Sequence, residues 1–173
     1  MERHELPHAI VYTSNTGHTR QYAEMLGQKL QLPALALDKA ITQLPEKSCV
    51  LYLGWIHANR IKGYSRAVRR FSVCAACAVG LCDTGTLLSE VRRATSVPDT
   101  IPLFTLQGGF CSGKIKGLDK ILIAMLQKGL SAQQQRSAQE ERMLQLLQQD
   151  KSYVCEENLT GILAWYREYT AER

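Results

Sequence analysis

The chain predicts an α/β protein built on a doubly wound parallel sheet, on three observations. Five short apolar runs alternate with helical patterns along its 173 residues. The strongest run, SCVLYLGW at 48–55, is apolar on both faces, as a central parallel strand must be. The segments after four of the five runs are rich in glycine, hydroxyl and amide residues, whereas the opposite strand ends carry ordinary polar turns.

HAIVYT (8–13) is the first strand. A helix follows over 17–30, with Thr19, Tyr22, Ala23, Leu26 and Leu30 on one face. Residues 34–37, after Pro33, form a weak second strand, and 48–55 the third. A short basic helix covers 64–71. VCAACAVGL (73–81) is the fourth strand, its small residues suiting close helix cover; 84–95 is helical, and IPLFTLQ (101–107) is the fifth strand. A polar connector from Ser131 runs into a helix marked by capping-box spacing between Ser137 and Glu140. The closing helix, 158–169, is expected to start on Asn158 as its N-cap and to bury Leu159, Ile162, Leu163 and Tyr166. There is no internal repeat, so one domain over 1–173 is expected.

Composition narrows the function classes. The apolar content is 45% and the charged content 21%, ordinary for a globular chain. The longest apolar run, ILIAML at 121–126, is too short for a transmembrane span, and the amino terminus has no apolar leader. A cytoplasmic location is therefore expected, with six cysteines as free thiols, metal ligands or redox groups rather than staples. The net charge is +5, gathered at Lys62, Arg66, Arg69 and Arg70 and again at Lys114, Lys116, Lys120 and Lys128. Neither group interleaves aromatics, so no nucleic-acid partner is expected. Cys74 and Cys77 form a CxxC whose odd spacing along a strand should point them to opposite faces, and no second pair supplies metal ligands.

Ligands of a doubly wound sheet sit beyond the carboxyl ends of its strands, so four loops are candidates before any family is considered. The first, SNTGHT, holds Ser14, Asn15, Thr16, Gly17, His18 and Thr19 between a strand and a helix. Amides at a helix N-terminus with flanking hydroxyls can cradle an anion, although the same residues could simply cap the helix. The second loop begins Gly54, Trp55, Ile56, His57, Ala58; the third holds Gly80, Leu81, Cys82, Asp83, Thr84 and Gly85; the fourth holds Gly108 and Gly109.

The spacing Ser14-x-Thr16-Gly17-x-Thr19 resembles the FMN-phosphate loop of flavodoxins, and it is neither a Walker nor a Rossmann glycine pattern. The resemblance covers nearly the whole chain and implies a flavodoxin-like sheet in the order 2-1-3-4-5, with FMN as cofactor. It implies that the first loop holds the phosphate through hydroxyls and amides without a cationic side chain, Arg20 being the only strong cation nearby. It places Trp55 against one flavin face and the backbone of 80–85 along the pyrimidine edge. Flavodoxins often stack a tyrosine from that third loop; none is present here, which leaves the second face to Leu81, Cys82 or a neighbouring segment. Flavodoxins are also strongly acidic, and this chain is not.

The segment after the fifth strand has no counterpart in short flavodoxins. It is similar to the apolar, basic insertion of flavodoxin-like protoporphyrinogen dehydrogenases, which implies an insertion over 112–150 before the closing helix. The run 121–126 could serve there as core, as a homodimer contact, or as a lid over a hydrophobic substrate. The expected function is FMN-dependent redox chemistry, as a carrier serving a redox partner protein or as an oxidoreductase acting on a hydrophobic or anionic small molecule such as a tetrapyrrole or quinone. A flavodoxin-like binding module that has lost its cofactor is a third reading, which the hydroxyls of Ser14, Thr16 and Thr19 count against. Peripheral membrane contact is compatible with the insertion. No acid–base pair or nucleophile stands out; Cys82 and Cys111 are the only thiols in the expected flavin-edge loops. The first loop is the decisive segment: Thr16→Leu should abolish flavin binding by steric block and lost hydrogen bonds, measured as loss of bound flavin on purification and in titration.

Overall fold

The computed structural model describes residues 5–114 and 117–171. In chain order the elements are β1 (Ala9–Thr13), α1 (His18–Leu30), β2 (Ala34–Ala36), α2 (Leu37–Gln43), β3 (Cys49–His57), β4 (Arg60–Ile61), α3 (Tyr64–Arg70), β5 (Ser72–Gly80), α4 (Leu88–Thr95), β6 (Leu103–Gln107), α5 (Leu118–Ala132), α6 (Ala138–Gln149) and α7 (Thr160–Ala171). The sheet runs β2-β1-β3-β5-β6, with every pair on that path parallel. The two-residue β4 lies off the path, antiparallel to β3. The expectation of five strands thus missed β4, and the expected fourth and fifth strands are β5 and β6. The fold is α/β and of the general flavodoxin-like kind.

Alternation along the strands divides the interior in two. Ala9, Val11, Val50, Tyr52, Ala76 and Ala78 face one layer with Leu37 and Ala40 of α2, Tyr64 and Ala67 of α3 and Val91 of α4. Ile10, Leu51, Leu53, Cys77, Val79 and Leu106 face the other, against Tyr22, Ala23 and Leu26 of α1 and Leu159 and Ile162 at the carboxyl end. Helices therefore cover both faces, which is why β1, β3 and β5 read as continuous apolar runs.

Four local expectations are corrected. Leu37, read as the end of a strand, opens α2 instead: Leu37, Ala40, Ile41 and Leu44 recur at helical spacing and pack on the sheet. Helix α4 starts at Leu88 rather than at 84, because residues 83–86 spend their hydrogen bonds on a local turn and on β6. Thr86 Oγ1 donates to the Asp83 carbonyl at 2.6 Å, and the Gly85 amide donates to the Thr105 carbonyl at 3.0 Å. Asn158 does not cap the last helix; it lies in the 3₁₀ turn Glu156–Leu159, and its Nδ2 donates to the Tyr22 hydroxyl at 2.6 Å. Cys74 and Cys77 share a face, because a bulge at Cys74, opposite Val50 and Leu51, resets the alternation. All six cysteines are free thiols.

The segment after β6 is closed at its base by an antiparallel bridge between Gly109 and Ser152, with Phe110 N donating to Lys151 O at 3.0 Å and Tyr153 N to Gly108 O at 2.7 Å. Between these ends α5 and α6 pack on each other around Leu130, Leu144, Leu146, Leu147 and Phe110, a satellite cluster beside the two main layers. The expected capping box is present: Ser137 Oγ accepts from the Glu140 amide, and Glu140 returns a carboxylate to the Ser137 amide at 2.8 Å. Among the described residues no helix is long and apolar enough to cross a membrane.

Two glycines of nearly equal backbone geometry separate steric constraint from strain. Gly63 (φ +80°) and Gly85 (φ +83°) both lie in the left-handed region. A Cβ at Gly85 would meet open space, whereas one at Gly63 would overlap the Tyr52 hydroxyl and Thr13 Oγ1. Gly85→Ala should therefore cost about 1 kcal/mol of backbone strain and Gly63→Ala about 3 kcal/mol or more. Urea unfolding midpoints of the two variants check this, and equal losses would contradict it.

Candidate functional site

A cavity of about 330 Å³ opens at the carboxyl ends of the parallel strands, within the size range of small-molecule pockets. Strand ends at Val79, Gly80, Thr105 and Leu106 form its floor. Of the first loop, Asn15, Thr16, His18 and Thr19 line one end. Ser14 does not. Its Oγ turns back to accept from the amides of Gly17 at 3.2 Å and Arg20 at 3.4 Å, which serves the first turn of α1. Gly17, at φ +103°, makes the left-handed step that turns the chain into the helix. The loop thus divides its labour: Ser14 caps, while Thr16 and Thr19 face the cavity.

The second loop is largely not a loop. β3 continues through His57, and Ala58 and Asn59, both with positive φ, form the tight turn into β4. Trp55, Ile56, His57 and Ala58 line the cavity from this hairpin, and Trp55 meets His57 edge to face at 5.4 Å between ring centres. Gly54 lies outside it: a Cβ there would stand 2.6 Å from the Lys62 carbonyl, so this glycine serves the close approach of the returning chain. In the third loop, Gly80, Leu81, Cys82 and Asp83 reach the cavity. Thr84 and Gly85 do not; they latch the loop to β6, Thr84 Oγ1 accepting from the Gln107 amide at 2.9 Å. Asp83 is held by Arg142 at 2.9 Å and by Gln107 Nε2 at 3.2 Å, which joins this loop to α6. Burial pushes the Cys82 thiol up, so it stays protonated at neutral pH and is a poor nucleophile. Gly108 and Gly109 line the remaining edge. Side chains there would collide with Val79, the 151–152 backbone and His18, so the chain passes beneath His18 only because both positions are glycine.

The sequence left the run 121–126 open between core, homodimer contact and lid, and it did not single out Phe110 or Met143. Leu122, Ile123 and Leu126 of α5, Met143 of α6 and Phe110 reach the cavity from the inserted segment. Ile121 and Met125 on α5 remain 58% and 67% exposed, so the greasy run is not buried as core. The signal was present: six consecutive apolar residues exceed what one helix face needs, but only the chain's path shows which of them meet the cavity.

The charge distribution also differs from expectation. Arg20, the cation expected nearest the loop, pairs with Glu24 along its own helix at 3.5 Å. Instead Lys114 reaches back across the loop, its Nζ donating to the Thr16 carbonyl at 3.2 Å. Lys120 is exposed on α5, and Lys116 lies outside the described residues. His18 is buried beneath this lysine, with Nδ1 at 2.8 Å from Thr16 Oγ1. Burial first, and then the Lys114 charge, lower its pKa from 6.5, so His18 is neutral at pH 7.

These elements define an α/β protein with one continuous cavity whose hydroxyl-rich end meets a lysine and whose body is apolar. No protein-family model, curated protein or solved structure gives a significant match to the chain.

The pH dependence of stability tests the placement of His18. With its folded pKa below the unfolded value of 6.5, its contribution is fully present above that value and is lost as pH falls through the folded pKa. His18→Asn should flatten the fall in urea midpoint between about pH 7.5 and 5 relative to the unsubstituted protein. Parallel curves would place His18 in solvent.

Proposed function

We propose that the chain binds FMN in this cavity and transfers electrons between it and a partner. The observation that carries this reading is the polarity of the cavity. One end offers helix-terminal backbone, Thr16 and Thr19, with the Lys114 ammonium beside it on the Thr16 carbonyl, a setting suited to a terminal phosphate. The rest is an apolar slot between Trp55, Leu81 and the α5 side chains, as a planar aromatic ring requires. The residues therefore fit the group: its phosphate would sit on the 14–19 loop and its ring system beside Trp55. FMN, when bound, supplies one- and two-electron redox chemistry. The chain's own contribution is to neutralise the phosphate, hold the ring against Trp55 and keep water from one edge. Neutral His18, hydrogen-bonded to Thr16, adds no charge of its own to the anion end.

One observation favours a second reading, direct oxidation or reduction of an apolar small molecule. Leu122, Ile123 and Leu126 line the cavity, yet Leu122 and Leu126 stay exposed there, as Ile121 and Met125 do beside it. Fully burying one such side chain is worth about 1.5–3 kcal/mol, so an apolar substrate entering along α5 would gain from contacts that a flavin leaves unused.

The test begins with the visible spectrum of the purified protein and a titration of apoprotein with FMN. A yellow protein is expected, with tryptophan fluorescence quenched on binding and most of the quenching lost in Trp55→Phe. Trp165, packed between Tyr166 and Tyr169 in α7, should contribute little. Absence of flavin binding would overturn the reading, and undiminished quenching in Trp55→Phe would remove Trp55 from the ring. Reoxidation of the photoreduced protein by a lipid-soluble quinone, compared with a small redox protein, separates the two functions.

A further inference from the structure

Lys114 closes the 3₁₀ turn Ser112–Lys114 at the start of the inserted segment, yet its ammonium lies on a loop 98 residues earlier. Two distances place it there: its Nζ donates to the Thr16 carbonyl at 3.2 Å, and it stands 3.8 Å from where a Cβ would be on Gly17. The Thr16 carbonyl occupies one of three ammonium donors and is a neutral acceptor. A phosphate carrying close to two negative charges is the stronger partner, because it attracts the ammonium as an opposite charge whereas the carbonyl offers only a dipole. The other loop groups facing the cavity are hydroxyls, an amide side chain, neutral His18 and backbone, and Arg20 is turned to Glu24.

We infer that Lys114 is the cationic half of the anion site, so that a ligand's phosphate both selects the phosphorylated over the unphosphorylated flavin and ties the inserted roof to the α1 loop. The inference rests on the FMN reading of the same cavity. It adds that the insertion completes the phosphate site as well as roofing the ring, so that loading the site and fastening α5 above it are one event. Lys114 is exposed, so replacing it should leave the fold intact.

The experiment measures the affinities of FMN and of riboflavin, by flavin fluorescence, for the unsubstituted protein, Lys114→Gln and Lys114→Arg at low and high salt. The unsubstituted protein should prefer FMN, with the preference shrinking as salt rises. Lys114→Gln should lose about tenfold to a hundredfold in FMN affinity and nothing in riboflavin affinity, and Lys114→Arg should keep most of both. Trypsin cleavage after Lys120 and Lys128 should be slowed by FMN but not by riboflavin, and the protection should vanish in Lys114→Gln. Unchanged FMN affinity and salt dependence in Lys114→Gln would overturn the inference, as would an equal loss for both flavins, which would make Lys114 a packing residue. A protein that binds neither flavin in unsubstituted form would overturn the FMN reading itself, and this inference with it.

Discussion

The carboxyl edge of the sheet is held by one phenol. Tyr52, fully buried at the centre of β3, donates its single hydroxyl proton to the Lys62 carbonyl at 2.7 Å, so its 2.7 Å contact with Thr13 Oγ1 must be one that it accepts. Thr13 is the last residue before the 14–19 loop, and Lys62 follows the hairpin that carries Trp55. This side chain thus ties the anion end to the aromatic wall, beside the backbone register that pairs Thr13 with Gly54. Each bond is worth only about 1 kcal/mol net, but an unpaired buried hydroxyl would cost more, so the two loops are held together. Gly63 is glycine because the phenol needs the room that a Cβ would take.

Tyr22 performs the corresponding task on the other face. Its hydroxyl donates to the Gln107 carbonyl and accepts from Asn158 Nδ2, which joins α1, the end of β6 and the turn before α7. Burial raises the pKa of both phenols, so neither ionises near neutral pH. Between these two anchors the inserted segment leaves the sheet at Gly109 and returns at Ser152. Its helices are held to each other by a small apolar cluster and to the site by Lys114 and by Arg142 on Asp83. Polar contacts between exposed groups are individually weak, so the roof is the part of the molecule whose placement depends most on what lies beneath it.

That arrangement explains why α5 is apolar beyond the needs of packing. A helix that must present Leu122, Ile123 and Leu126 to a cavity, and Leu130 to α6, uses up most of its circumference. Ile121, Leu122, Met125 and Leu126 all stay largely exposed to water, a cost the fold accepts at a functional surface.

Much of the architecture was legible in the sequence. The apolar runs at 8–13, 48–55, 73–81 and 101–107 became β1, β3, β5 and β6, because strands covered on both faces cannot hide their composition. The capping box at Ser137 was equally local and equally readable. The hydroxyl loop was legible as a site edge, but its spacing could not tell that Ser14 caps α1 while Thr16 faces the cavity, since both roles use the same residue types. What only the tertiary structure decided depends on non-local approach. The hairpin that carries β3 past Trp55 to His57, the bulge that turns Cys74 to the side of Cys77, and the glycines that let 108–109 pass under His18 all depend on a partner strand or segment. Lys114 is the clearest case: as one of several insertion lysines it reads as solvated charge or as attraction for an anionic partner, and only the fold carries its ammonium back to Thr16. A period along the chain reports which face a residue is on, whereas a site is a meeting of faces.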